Sequence, residues 1–111
     1  MRIYLNNNLL WCNIRVANTF LTRFKGLMGK KQLKDGEGLL IKPCNQVHSF
    51  NMRFDIDVIY LSQCNDVLSI QTLKPNRSGK LVKGAKSVLE VTCGTAHVFG
   101  INIGDKIVME E

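Results

Sequence analysis

No two cysteines of the chain stand at the C-x-x-C spacing that a zinc knuckle or a thioredoxin-like site requires; the four lie at Cys12, Cys44, Cys64 and Cys93. No Gly-rich phosphate loop, Ser-His-Asp order, H-E-x-x-H helix or EF-hand spacing occurs, so the familiar signatures of nucleotide, hydrolase and metal chemistry are missing. Long apolar runs are missing as well. The longest stretch free of charged side chains, residues 91–104, is interrupted by three glycines and is too short and broken to cross a bilayer as a helix. At the start, Met1-Arg2-Ile3-Tyr4-Leu5 meets Asn6-Asn7-Asn8 before an export-signal core can form, so the expected location is cytoplasmic. There the thiols stay reduced, and Cys12 and Cys64, in apolar surroundings, are expected as buried filler. Acidic residues are scarce: 9 Asp+Glu face 15 Lys+Arg, a net charge of +6.

Apolar content is sufficient for a core. Ile, Leu, Val and Phe make up 36 of 111 residues, well outside the disordered regime, and this length supports one domain over 1–111. Residues 3–5 and 9–16 read as a strand pair joined over the three asparagines, with Leu10, Cys12, Ile14 and Val16 on one face of the second strand. Phe20, Phe24, Leu27 and Met28 fall at i, i+4, i+7 and i+8, which predicts one amphipathic helix over about 19–29, N-capped by Asn18 or Thr19 and ending near Gly29. Further strands are expected from residue 39, over 58–61 and 67–73 as a hairpin, over 88–92 with Glu90 on the polar face, and over 106–109; one helical turn is expected within 94–100. Short strands at turn spacings near ten residues point to a mostly β fold, an antiparallel sandwich or partly open barrel with one short helix.

Three segments together are distinctive: Arg23-Phe24-Lys25-Gly26-Leu27-Met28-Gly29-Lys30; His48-Ser49-Phe50-Asn51-Met52-Arg53-Phe54-Asp55-Ile56-Asp57; and Leu89-Glu90-Val91-Thr92-Cys93-Gly94 with a closing Gly100-Ile101-Asn102-Ile103-Gly104-Asp105. In order and spacing they resemble the domain-of-unknown-function 192 family over residues 16–108. The resemblance implies a small, mostly β protein with one short helix and supplies no established activity. Two positions depart from the family's usual pattern. Asn51 stands where an aromatic commonly precedes the Met, and Asp55 stands where proline is common two residues before the Asp.

Candidate chemistry gathers in a few residues. Arg23, beside the helix's apolar stripe, offers a guanidinium fork suited to a carboxylate or phosphate, or an internal ion pair with Asp57 or Glu90. Cys44, His48 and Met52 stand four residues apart. A thiol and an imidazole can act as nucleophile and base, and the three could be soft metal ligands. That spacing converges only on a helix, however, and in an extended segment the three would spread over roughly 26 Å. A His48 bonded to backbone at a pocket mouth is the favoured reading. Arg53, Asp55 and Asp57 share a pleat face and can neutralise one another. Lys74, Arg77, Lys80, Lys83 and Lys86 form a stretch without an acid. It could meet polyanions, but it has no interleaved aromatics for stacking bases, since Tyr60 is the only aromatic between residues 55 and 98.

The reading these observations favour is a non-catalytic binding module, whose small polar pocket of Arg23, His48, Met52, Arg53 and Asp57 takes an anionic small ligand or a protein segment. No cofactor or metal is expected, nor an association beyond a monomer or weak dimer. The alternatives are an enzyme using Cys44 and His48, and an electrostatic binder of nucleic acid or acidic surfaces through residues 74–86.

Overall fold

The three asparagines turn the chain as expected. Asn6 and Asn7 both take positive φ (52° and 68°), which Asn tolerates better than most residues, and β1 (Arg2–Leu5) folds back antiparallel on β2 (Asn8–Trp11). The computed structural model describes all residues, 1–111. After β2 come β3 (Asn13–Ala17), α1 (Phe20–Lys25), β4 (Glu37–Ile41), β5 (Ile56–Leu61), β6 (Val67–Leu73), β7 (Ser87–Thr92), α2 (Thr95–Val98) and β8 (Val108–Glu110).

The run expected as one strand over 9–16 is two. Trp11 and Ile14, three residues apart, are both buried, so the alternation breaks at Cys12, which is exposed. There the chain leaves one sheet for the other. Cys64 is also exposed, in the β5–β6 turn, so neither thiol is core filler. β1, β2 and β8 form a three-stranded sheet, and the other five strands form a second sheet in the order β3-β4-β7-β5-β6. Every pairing is antiparallel except β3 with β4. A parallel pair needs a crossover of a dozen or more residues, and the segment carrying α1 supplies it.

The larger sheet is buried on both faces. Ile14, Leu40, Ile59, Leu89 and Val91 face one core, shared with Ile3 and Trp11 of the three-stranded layer and with Ile107 just before β8. Alternate residues, among them Leu39, Ile41, Val58, Tyr60 and Val88, face a second core. No sheet closes that one. It is covered by Leu27, Val47, Met52 and Ala85 from irregular segments. The fold is thus mostly β with two sheets and two short helices, and neither sheet closes into a barrel.

α1 is shorter than its periodicity predicts. Thr19 caps it in a reciprocal box with Thr22, and Gly26, at φ 50°, ends it with its N–H on the Thr22 carbonyl. No residue within α1 is buried: Phe20 and Phe24 are 74% and 63% exposed. Of the predicted stripe only Leu27 reaches the core, contributing about 2 kcal/mol and tethering the turn beneath the helix.

Candidate functional site

Where α1 crosses the second core it leaves a hollow of about 230 Å³. One wall is α1 and its turn, with Phe20, Arg23, Phe24 and Met28; the facing wall is Pro43, Cys44, Gln46, Val47 and His48; the floor is Ile41, Met52 and Glu90. The facing wall holds its course because the β6–β7 loop runs alongside it. Cys44 N–H donates to the Lys86 carbonyl, Val82 N–H to Asn45, Gly79 N–H to Val47, and Ser49 N–H to Arg77. Ser49, fully buried, adds its hydroxyl, donating to the Lys74 carbonyl (2.6 Å) and accepting the Arg77 N–H (2.8 Å). Tyr60 reaches up from β5 to donate to the Lys80 carbonyl at 2.9 Å.

Two polar atoms in this hollow have no hydrogen-bond partner, Nε of Arg23 and Oε1 of Glu90. Glu90 is 2% exposed. It occupies β7 opposite Leu39 of β4 and Val58 of β5, on the face the irregular segments cover, and not on a polar face as its charge suggested. Burial without a countercharge in contact pushes its carboxyl up to about 8, so near neutrality it is mostly the protonated acid and can donate as well as accept. Arg23 donates from Nη1 to the Pro43 carbonyl at 3.2 Å, tying the two walls together. It makes no ion pair with either carboxylate considered for it; the molecule's two ion pairs are Arg2–Glu110 and Lys106–Asp66. Backbone passes close to Glu90: a Cβ built on Gly26 would lie 3.5 Å from Oε1.

Arg23, His48 and Met52 therefore share one hollow, and two of the expected pocket residues do not join them. Asp57 points to the opposite core. Its Oδ1 accepts the Thr72 hydroxyl at 2.8 Å, and its Oδ2 accepts the N–H groups of Gly94 and Ala96 at 3.0 and 3.1 Å, so it ties α2 to the sheet. Arg53 is exposed and borders a shallow depression with Lys25, Asn51 and Asn76; it makes no ion pair with Asp55 or Asp57. The residue missing from the expected set is Glu90. Its signal was present in the sequence, because β7 is apolar on both faces around it, the pattern of a strand covered on both sides.

Cys44, His48 and Met52 all line the hollow, but thiol and imidazole are not bonded to one another. The Cys44 thiol donates to the Gln46 carbonyl at 3.1 Å, and His48 Nδ1 accepts the Phe50 N–H at 3.1 Å. Burial pushes the Cys44 thiol up, with the Glu90 charge adding to it. A nucleophile needs the reverse shift and a base in reach. His48 instead forms the rim: its ring stacks on Phe50 (centroids 4.9 Å) and meets the edge of Phe24 (6.3 Å). Lys74, Arg77, Lys80, Lys83 and Lys86 are all exposed, on the loop that braces this wall.

A family model described as DUF192, Uncharacterized ACR, matches residues 2–109. The UPF0127 protein of Thermococcus kodakarensis is 31% identical over 99 residues, covering 85% of this chain and 62% of that protein, so the chain spans less than two thirds of this relative. The UPF0127 protein of Pyrococcus abyssi is 32% identical over 100 residues, covering 85% of this chain and 83% of its own length. A crystal structure of a protein of unknown function from Novosphingobium aromaticivorans superposes with a TM-score of 0.84 at 23% identity, over 97% of this chain and 82% of the other. That likeness is one of fold.

Proposed function

The chain belongs to the DUF192 family of uncharacterised proteins, and for this member we propose a non-catalytic binding module whose hollow takes a small organic acid by its carboxylate. The observation that carries the reading is the pair of unpartnered polar atoms, Arg23 Nε and Glu90 Oε1, in a hollow whose floor is otherwise apolar, with Ile41 and Met52. An unsatisfied buried polar atom costs about 1–3 kcal/mol, and a bound carboxylate repays both costs. It accepts from the guanidinium and from the protonated Glu90, while a short apolar body lies against Ile41, Val47 and Met52. At about 230 Å³ the hollow is smaller than a drug-sized site, so the body is a few carbons long. Wild-type protein titrated with isovalerate by calorimetry or amide NMR shifts should bind, and Arg23→Met should lose more than tenfold, the worth of one charge-assisted hydrogen bond. Equal affinity for isovalerate and its methyl ester, or undiminished binding by Arg23→Met, refutes the reading.

A further inference from the structure

The hollow is only part of an unusual face. Its rim is a run of exposed aromatics, with Phe24 63% exposed and Phe50 47%, joined through the His48 ring, and Phe20, 74% exposed, on the same helix as Phe24. A small acid inside the hollow would leave Phe50, which lies outside it, in water, and exposed apolar surface of this kind marks a place where a second molecule lies. Buried Glu90 in the floor aside, the segments around the hollow carry charge of one sign. The segments that build it, residues 19–34, 43–54 and 74–89, hold eleven of the fifteen Lys and Arg and no Asp or Glu. None of those eleven is ion-paired, since both ion pairs lie at or beside β8. The occupant must therefore present one carboxylate with a short apolar stem to the hollow, apolar surface to the rim, and negative charge to the lysines beyond.

A polypeptide's end meets all three demands, and we infer that this face captures the C-terminal residue of an acidic protein segment, its free carboxylate set against Arg23 and Glu90 and the preceding residues laid across Phe24, His48 and Phe50 toward the residue 74–86 loop. The inference rests on the proposed carboxylate site and specifies what carries the carboxylate. Preceding acidic residues meet the exposed Lys80 and Lys83, which speeds encounter and makes the affinity fall with salt.

The test compares four probes on the whole chain by calorimetry or fluorescence anisotropy: an acidic hexapeptide ending in leucine, the same peptide C-terminally amidated, N-acetyl-leucine, and phosphatidylglycerol vesicles. The free-acid peptide should bind at least tenfold more tightly than N-acetyl-leucine, and amidation should cost at least tenfold. Phe50→Ser, at an exposed side chain outside the hollow, should reduce the peptide to the affinity of N-acetyl-leucine while leaving N-acetyl-leucine within twofold. Equal binding of peptide and N-acetyl-leucine overturns the inference and leaves the small-acid reading standing. Failure of both to bind sinks the two together. An amidated peptide as good as the free acid shows that the hollow does not read the terminus. Vesicle binding that Phe50→Ser abolishes, with no peptide affinity, assigns the face to an anionic membrane surface instead.

Discussion

Replacing Glu90 by Gln should stabilise this protein, and by an amount set by pH. The carboxyl lies 2% exposed on β7, in a hollow that also holds Arg23, Lys25, Cys44 and His48, with the Tyr60 phenol of β5 on the same core face. Its pKa rises from 4.5 to about 8 on folding. The folded state therefore keeps a proton that the unfolded chain gives up between those values, and stability falls as pH rises through that window. Each unit is worth about 1.4 kcal/mol. The penalty is near zero at pH 4, about 3 kcal/mol at pH 7, and levels off at about 5 kcal/mol above pH 8. Gln has the same shape and no charge to lose, so the variant should match wild type at pH 4 and exceed it by about 3 kcal/mol at pH 7. With urea slopes of about 1–3 kcal/mol per molar, the midpoint moves by about 1 M or more. Unfolding is read by the fluorescence of Trp11, the sole tryptophan and 1% exposed. A stability difference that stays constant from pH 4 to pH 9, or a variant less stable than wild type at pH 7, refutes the argument that an unpaired buried acid sits there.

Asp57 should behave in the opposite way. Asp57→Ala strands the hydroxyl of Thr72 and the N–H groups of Gly94 and Ala96, and should cost about 3 kcal/mol or more in urea unfolding while leaving isovalerate affinity unchanged; a loss below 1 kcal/mol would show that α2 is held by something else. Cys44, half-buried and with its thiol pushed up, should react with iodoacetamide at pH 7.5 more slowly than exposed Cys12 and Cys64, as followed by peptide mass mapping. A Cys44 that alkylates first would reopen the case for thiol catalysis.

Local chemistry was legible wherever a turn or an alternation decided the outcome. Asn6-Asn7 announced the first hairpin, residues 58–61 and 67–73 read as a hairpin from their β-branched runs, and Gly94 to Gly100 held the short second helix. What the sequence hid depended on neighbours. Cys12 gives no local sign that the chain changes sheets there; the change shows only when Trp11 and Ile14 are both found buried. Parallel pairing of β3 with β4 is set by the crossover and not by either strand's pattern. Glu90 was expected on a polar face for a plain reason. A charge in an alternating strand ordinarily faces water, whereas this sheet is covered on both sides, the second time by segments with no period to read. Arg23, His48 and Met52, singled out from a helix and an irregular stretch, come to line one hollow, and Arg53 and Asp57 do not.

α1 has capped ends and no buried side chain, and the Arg23–Pro43 bond is its one side-chain hydrogen bond to the facing wall. Residues 20, 21 and 24 can therefore be exchanged at little thermodynamic expense to either sheet. Stability and selectivity reside in separate parts of the chain, so a set of related sequences could diversify what they hold by rewriting a single turn and a half of helix while the strands stay as they are.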